Sequence, residues 1–129
     1  VVDKMRSMLW RWGPALAIMI AIFIASSQPS DDLPNFGLWD LLAKKGGHMI
    51  GYGLLAAAML RGARGSAPLA RAHVAWAFAL TVLYAMSDEH HQSFVAGRGA
   101  SAWDVGVDAA GAMLGLAVRV WRRSPFPRR

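Results

Sequence analysis

The sequence contains no cysteine. That excludes a disulfide scaffold, a thiolate nucleophile and a thiolate-ligated zinc centre, and it leaves the redox compartment unmarked. Charge is also scarce: 17% of the 129 residues are Asp, Glu, Lys or Arg, where a soluble domain averages about 25%. What replaces the charge is apolar. Hydrophobic residues make up 55% of the chain and mean hydropathy is +0.30, too apolar for a disordered segment. No internal repeat or low-complexity tract is visible, and the length predicts a single domain over residues 1–129.

Four apolar segments stand out: Trp12 to Ala25, Met49 to Leu60, Val74 to Met86 and Ala109 to Val118. Each is shorter than the roughly 20 residues that cross a bilayer, so buried helices of a soluble bundle are the competing reading. These segments, however, are apolar on every face, whereas a surface helix of a soluble domain needs a polar face. Four short helices leave none wholly interior. Extended into their polar flanks they predict spans over about 9–27, 43–61, 72–90 and 103–121, with Trp10, Trp12, Trp76, Trp103 and Trp121 suited to aromatic belts. The first segment also has the form of a cleavable signal, but three more apolar segments favour a retained helix.

A net charge of +6 would by itself fit nucleic acid; its distribution argues otherwise. Lys4, Arg6 and Arg11 precede the first segment. Arg61, Arg64 and Arg71 lie between the second and third, and Arg119, Arg122, Arg123, Arg128 and Arg129 follow the fourth. Asp3 is the one acid among them. The two remaining connections hold Asp31, Asp32, Asp40, Asp88, Glu89, Asp104 and Asp108 against Lys44, Lys45 and Arg98. This alternation is what the positive-inside rule predicts for four spans with both termini in the cytoplasm. The expected fold is therefore all-α, a four-transmembrane-helix bundle. A short amphipathic stretch, Phe36 to Leu42, is expected to lie in the interface within the first outer loop. Pro29 and Pro34 break that loop, and Ser30, Asp31 and Asp32 favour a turn or N-cap. The Arg- and Pro-rich tail, 122–129, is expected to fray near lipid head groups.

Polar residues gather at the outer ends of the second, third and fourth segments. Lys45, His48 and Tyr52 follow at i, i+3 and i+7 and share one helix face. Gly46, Gly47, Gly51 and Gly53 allow close approach of another helix. Asp88, Glu89, His90, His91 and Gln92 end the third helix, and Gly97, Arg98 and Gly99 predict a turn. Asp104 and Asp108 open the fourth helix one turn apart, where acids suit the helix dipole. Gly111 and Gly115 form a small-xxx-small pair on the same face.

Ionisable residues at membrane depth are costly and mark sites. Two readings of the cluster stand side by side: a structural ion-pair network around Arg98, and a charged pocket in which Arg98 takes a phosphate or carboxylate in bidentate fashion. His48, Asp88, Glu89, His91 and Asp104 have the chemistry of metal ligands, but no spacing matches a metal signature, and no GxSxG elbow is present. No metal or other cofactor is expected. His73 reads as an interfacial residue and His90 as solvated.

The run DEHHQSFVAGRGASAWDVGVDAAGAMLG resembles the signature of VanZ-like membrane proteins in Asp88, Glu89, His91, Gln92, Phe94, Gly97, Arg98, Asp104, Gly111 and Gly115. Ser26, Ser27, Gln28 and Pro29 look like that family's small-polar motif after the first span, and Lys45, His48 and Tyr52 like its lysine, histidine and tyrosine. The likeness covers roughly residues 26–118. Two positions depart from it: Asp108 where asparagine is usual, and Ala96 where proline often precedes the Gly-Arg pair. The resemblance implies a small bacterial protein of the cytoplasmic membrane. Its named member is associated with resistance to the lipoglycopeptide teicoplanin.

The expected function is an envelope protein whose outward-facing pocket binds a polar or anionic ligand, such as a lipid head group, a cell-wall precursor or a glycopeptide. Its expected partners are the bilayer and that ligand, not nucleic acid. Lys45 and Arg98 would meet anionic groups. Asp88, Glu89, Asp104 and Asp108 would orient the ligand, and His48, Tyr52 and Gln92 complete the set. The alternatives are an intramembrane hydrolase or transferase on a lipid-linked substrate, with Glu89 or Asp88 as general base and His48 as acid/base, and a structural or assembly protein.

Overall fold

The structure is a computed structural model and describes residues 1–29 and 37–123. The expected turn at Ser30, Asp31 and Asp32, the break at Pro34, and the tail beyond Arg123 lie outside the described residues. Four helices make up the described chain, with no strand among the described residues: α1 (Val2–Ser26), α2 (Leu38–Arg64), α3 (Arg71–Gln92) and α4 (Ala102–Trp121). Each of the four apolar segments lies within one of them. Of the expected interfacial stretch Phe36 to Leu42, Phe36 lies outside the described residues, and Leu38 to Leu42 is not a separate element. It forms the opening of α2, continuous with the rest of that helix behind Gly37.

The tightest seam is between α2 and α4, and glycine makes it possible. A Cβ on Gly115 would stand 2.6 Å from the Gly53 Cα, and one on Gly111 would stand 2.8 Å from the Met49 Cα. Backbone therefore lies on backbone, in the manner of small-residue helix pairs. Helix α3 packs on both α2 and α4. Helix α1 touches α2 and, more lightly, α3, and it does not reach α4.

Helix α1 is joined to α2 by two arginines that cross between the helices. Pro14 has no N–H to donate four residues back, and the Trp10 carbonyl instead accepts from Arg61 Nη2 at 2.9 Å. In return Arg11 Nη2 donates to the Gly62 carbonyl at 2.8 Å. Trp12 lies under this crossing with its ring against Gly62, where a Cβ would come within 2.5 Å of it. Trp12 is thus a half-buried packing residue and not a belt residue, whereas Trp10, Trp76, Trp103 and Trp121 are exposed. At the start of α3 the Ala70 N–H donates to His73 Nδ1 at 3.1 Å, so His73 caps that helix.

Burial is inverted relative to a soluble domain. Tyr52, Leu55, Ala56, Ala77, Ala85 and Ala112 form a small-residue core, but Asp88, Glu89 and Asp108 are buried beside it. Large apolar side chains face outward instead, among them Ile20, Ile24, Ile50, Leu54, Leu83 and Leu114, all more than half exposed. Among the described residues, α1 is the one helix long and apolar enough to cross a membrane by length and composition. The other three carry their polar residues within the helix. Every 18-residue stretch of α4, for example, contains Asp104, Asp108 and Arg119.

Candidate functional site

The up-and-down order brings four helix ends together at one pole: the C-termini of α1 and α3 and the N-termini of α2 and α4. The polar residues of the sequence fall at these ends. The opposite pole collects the basic residues that flank the helices.

Asp88 is the hub of a buried network. Its Oδ2 accepts from Ser26 Oγ on α1 at 2.8 Å, from Tyr52 Oη on α2 at 3.0 Å and from Gln92 Nε2 one turn along α3 at 3.1 Å. Three helices thereby meet on one carboxylate oxygen. Its second oxygen, Oδ1, is buried and has no hydrogen-bond partner among the described residues. Next to the hub, Ser27 Oγ lies 3.1 Å from His91 Nε2, and the His91 ring stacks on Phe23 with centroids 4.5 Å apart. His90 is exposed and meets Phe94 edge-on.

Two polar rungs join α2 to α4. Lys45 Nζ pairs with Asp104 Oδ1, and His48 Nδ1 stands 3.2 Å from Asp108 Oδ1. A carboxylate only accepts, so the Nδ1 proton belongs in this contact, and Nε2 makes no hydrogen bond among the described residues. Asp108 is fully buried, and its Oδ2 has no partner among the described residues. The spacing i, i+3 on α2 thus matches i, i+4 on α4, rung to rung.

The connection from α3 to α4 is a built turn. Arg98 N–H donates to the Val95 carbonyl at 3.1 Å, and Gly97 takes a φ of 73°, a left-handed conformation that favours glycine. Glu89 Oε2 accepts the Ser101 N–H at 3.0 Å and so fixes the far side of the turn. Ser101 Oγ in turn caps α4 by accepting from Trp103 N–H. This turn aims Arg98 back over the pole. Its Nε donates to the Gln28 carbonyl at 3.0 Å, its Nη1 to Gln92 Oε1 at 3.1 Å and its Nη2 to the Ala25 carbonyl at 3.5 Å. Among the described residues no carboxylate comes within ion-pair distance of it. Of the two readings of Arg98, the ion-pair network is therefore not what holds it; neutral oxygens do.

Between α2, α3, α4 and this turn lies a cavity of about 190 Å³. Lys45, His48, Glu89, Gln92, Asp104 and Asp108 line it, with Arg98 at its rim. Seven of the nine expected ligand-binding residues thus share one space. Asp88 and Tyr52 do not line it: Asp88 is engaged in the hub, and Tyr52 lines a neighbouring cleft between α1 and α2. Of the three residues expected to do acid/base chemistry, Glu89 and His48 face the cavity and Asp88 does not. No group of three or more His, Asp or Glu among the described residues is arranged to hold a metal ion. Ser26 is the participant that the expected site omitted. The Ser-Ser-Gln run that ends α1 was its only signal.

The matched sequence runs through all four helices. The chain belongs to the family described as VanZ/LLP1, whose model it matches over residues 12–123. No curated protein and no solved structure matches it. Family membership and the apolar length of α1 together point to a membrane protein.

Proposed function

We propose that the chain is a four-span protein of the bacterial cytoplasmic membrane whose charged cavity faces outward and binds a polar or anionic ligand of the cell envelope. The single observation that carries this reading is the cavity rimmed by Arg98. A guanidinium held only by neutral oxygens keeps its charge available for an anion. Beneath it, Lys45, His48, Glu89, Asp104 and Asp108 supply donors and acceptors for the rest of a polar group.

Two features support the placement. Outward-facing Ile, Leu and Trp side chains around inward-facing carboxylates suit a lipid environment and not water. The pole opposite the cavity carries Lys4, Arg6, Arg61, Arg64, Arg71, Arg119 and Arg122, the pattern of a cytoplasmic face. In this reading α2, α3 and α4 cross the bilayer although each carries charge, because the carboxylates turn inward to the hub, the rungs and the cavity.

A role in protection against lipoglycopeptides is one form the binding takes. The test compares susceptibility to teicoplanin and to vancomycin in cells expressing the wild type, Arg98→Ala and Glu89→Gln, with each variant checked for folded protein in detergent. Protection against teicoplanin by the wild type, lost in folded variants, supports the reading. No protection by the wild type removes the resistance role.

A further inference from the structure

The cavity does not stand alone. On the other side of His48 lies a second cleft of about 310 Å³, between α1 and α2. Its walls are Ile22, Ala25 and Ser26 of α1 and Ala43, Gly47, Gly51 and Tyr52 of α2, with the Ser26 and Tyr52 hydroxyls already bonded to Asp88. The two spaces share Lys44, His48 and Arg98. One is lined mainly by charged and amide groups; the other holds no carboxylate, and apart from the shared Lys44, His48 and Arg98 it presents the Ile22, Ala25 and Ala43 side chains, two glycines, Ser26 and Tyr52. The glycines keep the second one open: a Cβ on Gly47 would meet nothing within 4 Å, and one on Gly51 would only reach ordinary contact with Ile22. Since α1 packs on α2 and α3 alone, this cleft lies on the flank of the bundle, where the surrounding side chains are apolar and outward-facing.

A polar chamber and an apolar cleft that meet at one arginine have the shape of a site for a molecule with two ends. We infer that the ligand of the cavity is an amphiphile with a single alkyl chain and a phosphate head group. The chain lies in the α1–α2 cleft, and the head passes over His48 to Arg98. Charge at the junction selects the head: Glu89, Asp104 and Asp108 line the cavity but none of them lines the cleft, and among the described residues Lys44 pairs with Asp40 and Lys45 with Asp104, so Arg98 is the cation shared by the two spaces that has no carboxylate within ion-pair distance. This inference rests on the ligand-binding reading above and adds the class of ligand.

The test uses the full chain transferred from detergent into a non-ionic amphipol, so that no free single-chain detergent competes for the cleft, and three probes: inorganic phosphate for the head alone, octyl glucoside for the chain alone, and octyl phosphate for both. Octyl phosphate is expected to bind at least about tenfold more tightly than either, the effect of burying roughly two methylene groups. Gly47→Leu, and separately Ala43→Leu, fill the cleft and are expected to bring octyl phosphate down to the affinity of inorganic phosphate, which itself stays unchanged. Gly46→Leu is the control. It is the adjacent residue on α2, has nothing within 4 Å of its Cβ, and faces the groove between α2 and α4 instead; it is expected to change nothing. Equal binding of octyl phosphate and inorganic phosphate overturns the inference, as does an octyl advantage that survives both cleft variants or vanishes in Gly46→Leu. In those cases binding lost in Arg98→Ala leaves the cavity standing as an anion site. No binding of any probe overturns both readings.

Discussion

His48 and Asp108 form a rung between α2 and α4 in which the imidazole is partly exposed to the cavity and the carboxylate is fully buried. The carboxylate therefore depends on the imidazole. His48→Ala leaves a buried acceptor without its partner and is expected to destabilise the protein by about 1–3 kcal/mol. Asp108→Asn keeps a carbonyl oxygen for the Nδ1 proton. Its midpoint of thermal unfolding in detergent is expected to stay close to wild type, and Asp108→Leu is expected to fall well below both. Equal loss in the Asn and Leu variants would show that His48 does not hold this position.

The hub at Asp88 makes a graded prediction. Tyr52→Phe and Ser26→Ala each remove one donor and leave two, so each is expected to cost about 0.5–3 kcal/mol. Asp88→Leu takes the shared acceptor from three buried donors at once, leaving among them the 3.4 Å contact of Gln92 Nε2 with Ser26 Oγ, and is expected to cost more than either. Chemical or thermal unfolding of the four proteins checks the order. An Asp88→Leu protein as stable as Tyr52→Phe contradicts it.

Gly115 and Gly106 lie on the same helix and are expected to respond oppositely. A Cβ at Gly115 would stand 2.6 Å from the Gly53 Cα, so Gly115→Ala forces the α2–α4 seam apart, at about 1–3 kcal/mol. A Cβ at Gly106 meets nothing within 4 Å, so Gly106→Ala is expected to be neutral or to stabilise by up to about 1 kcal/mol through helix propensity. Parallel melting curves decide between these outcomes.

Arg61 and Pro14 are coupled through the Trp10 carbonyl. Arg61→Ala is expected to destabilise wild type more than it destabilises a Pro14→Ala background, because alanine supplies the N–H that proline lacks. A double-mutant cycle on unfolding midpoints reads the difference, expected at about 0.5 kcal/mol or more. Additive effects would remove Arg61 from that role.

Much of this arrangement is legible in the sequence, for reasons of period. Apolar segments placed the helices, the Gly-Arg-Gly run marked the turn that carries Arg98, and i, i+3 and i, i+4 spacings put Lys45 with His48 and Asp104 with Asp108. Spacing gives the residues that share a face, but not the helix that faces them. That is why Tyr52, on the same face as Lys45 and His48, was expected in the cavity but reaches instead to Asp88 on α3. For the same reason nothing in the sequence joins Ser26 to Asp88, 62 residues away. The sequence leaves Arg98 either in an ion-pair network with the neighbouring acids or lining a charged pocket, and the turn points it at carbonyls that end α1. Trp12 reads as a belt residue because nothing in a sequence distinguishes a ring at an interface from one lying across a glycine of the next helix.

The central claim is that the cavity faces out of the cell. The chain has no cysteine of its own, so one introduced thiol reports its side of the membrane without background. Gly99→Cys places it at the cavity rim, and Ala67→Cys places it in the basic connection between α2 and α3. Intact cells are treated with a membrane-impermeant maleimide. Labelling of Gly99→Cys in intact cells, with labelling of Ala67→Cys only after permeabilisation, is the expected result. The reverse pattern would turn the cavity toward the cytoplasm and contradict the envelope function.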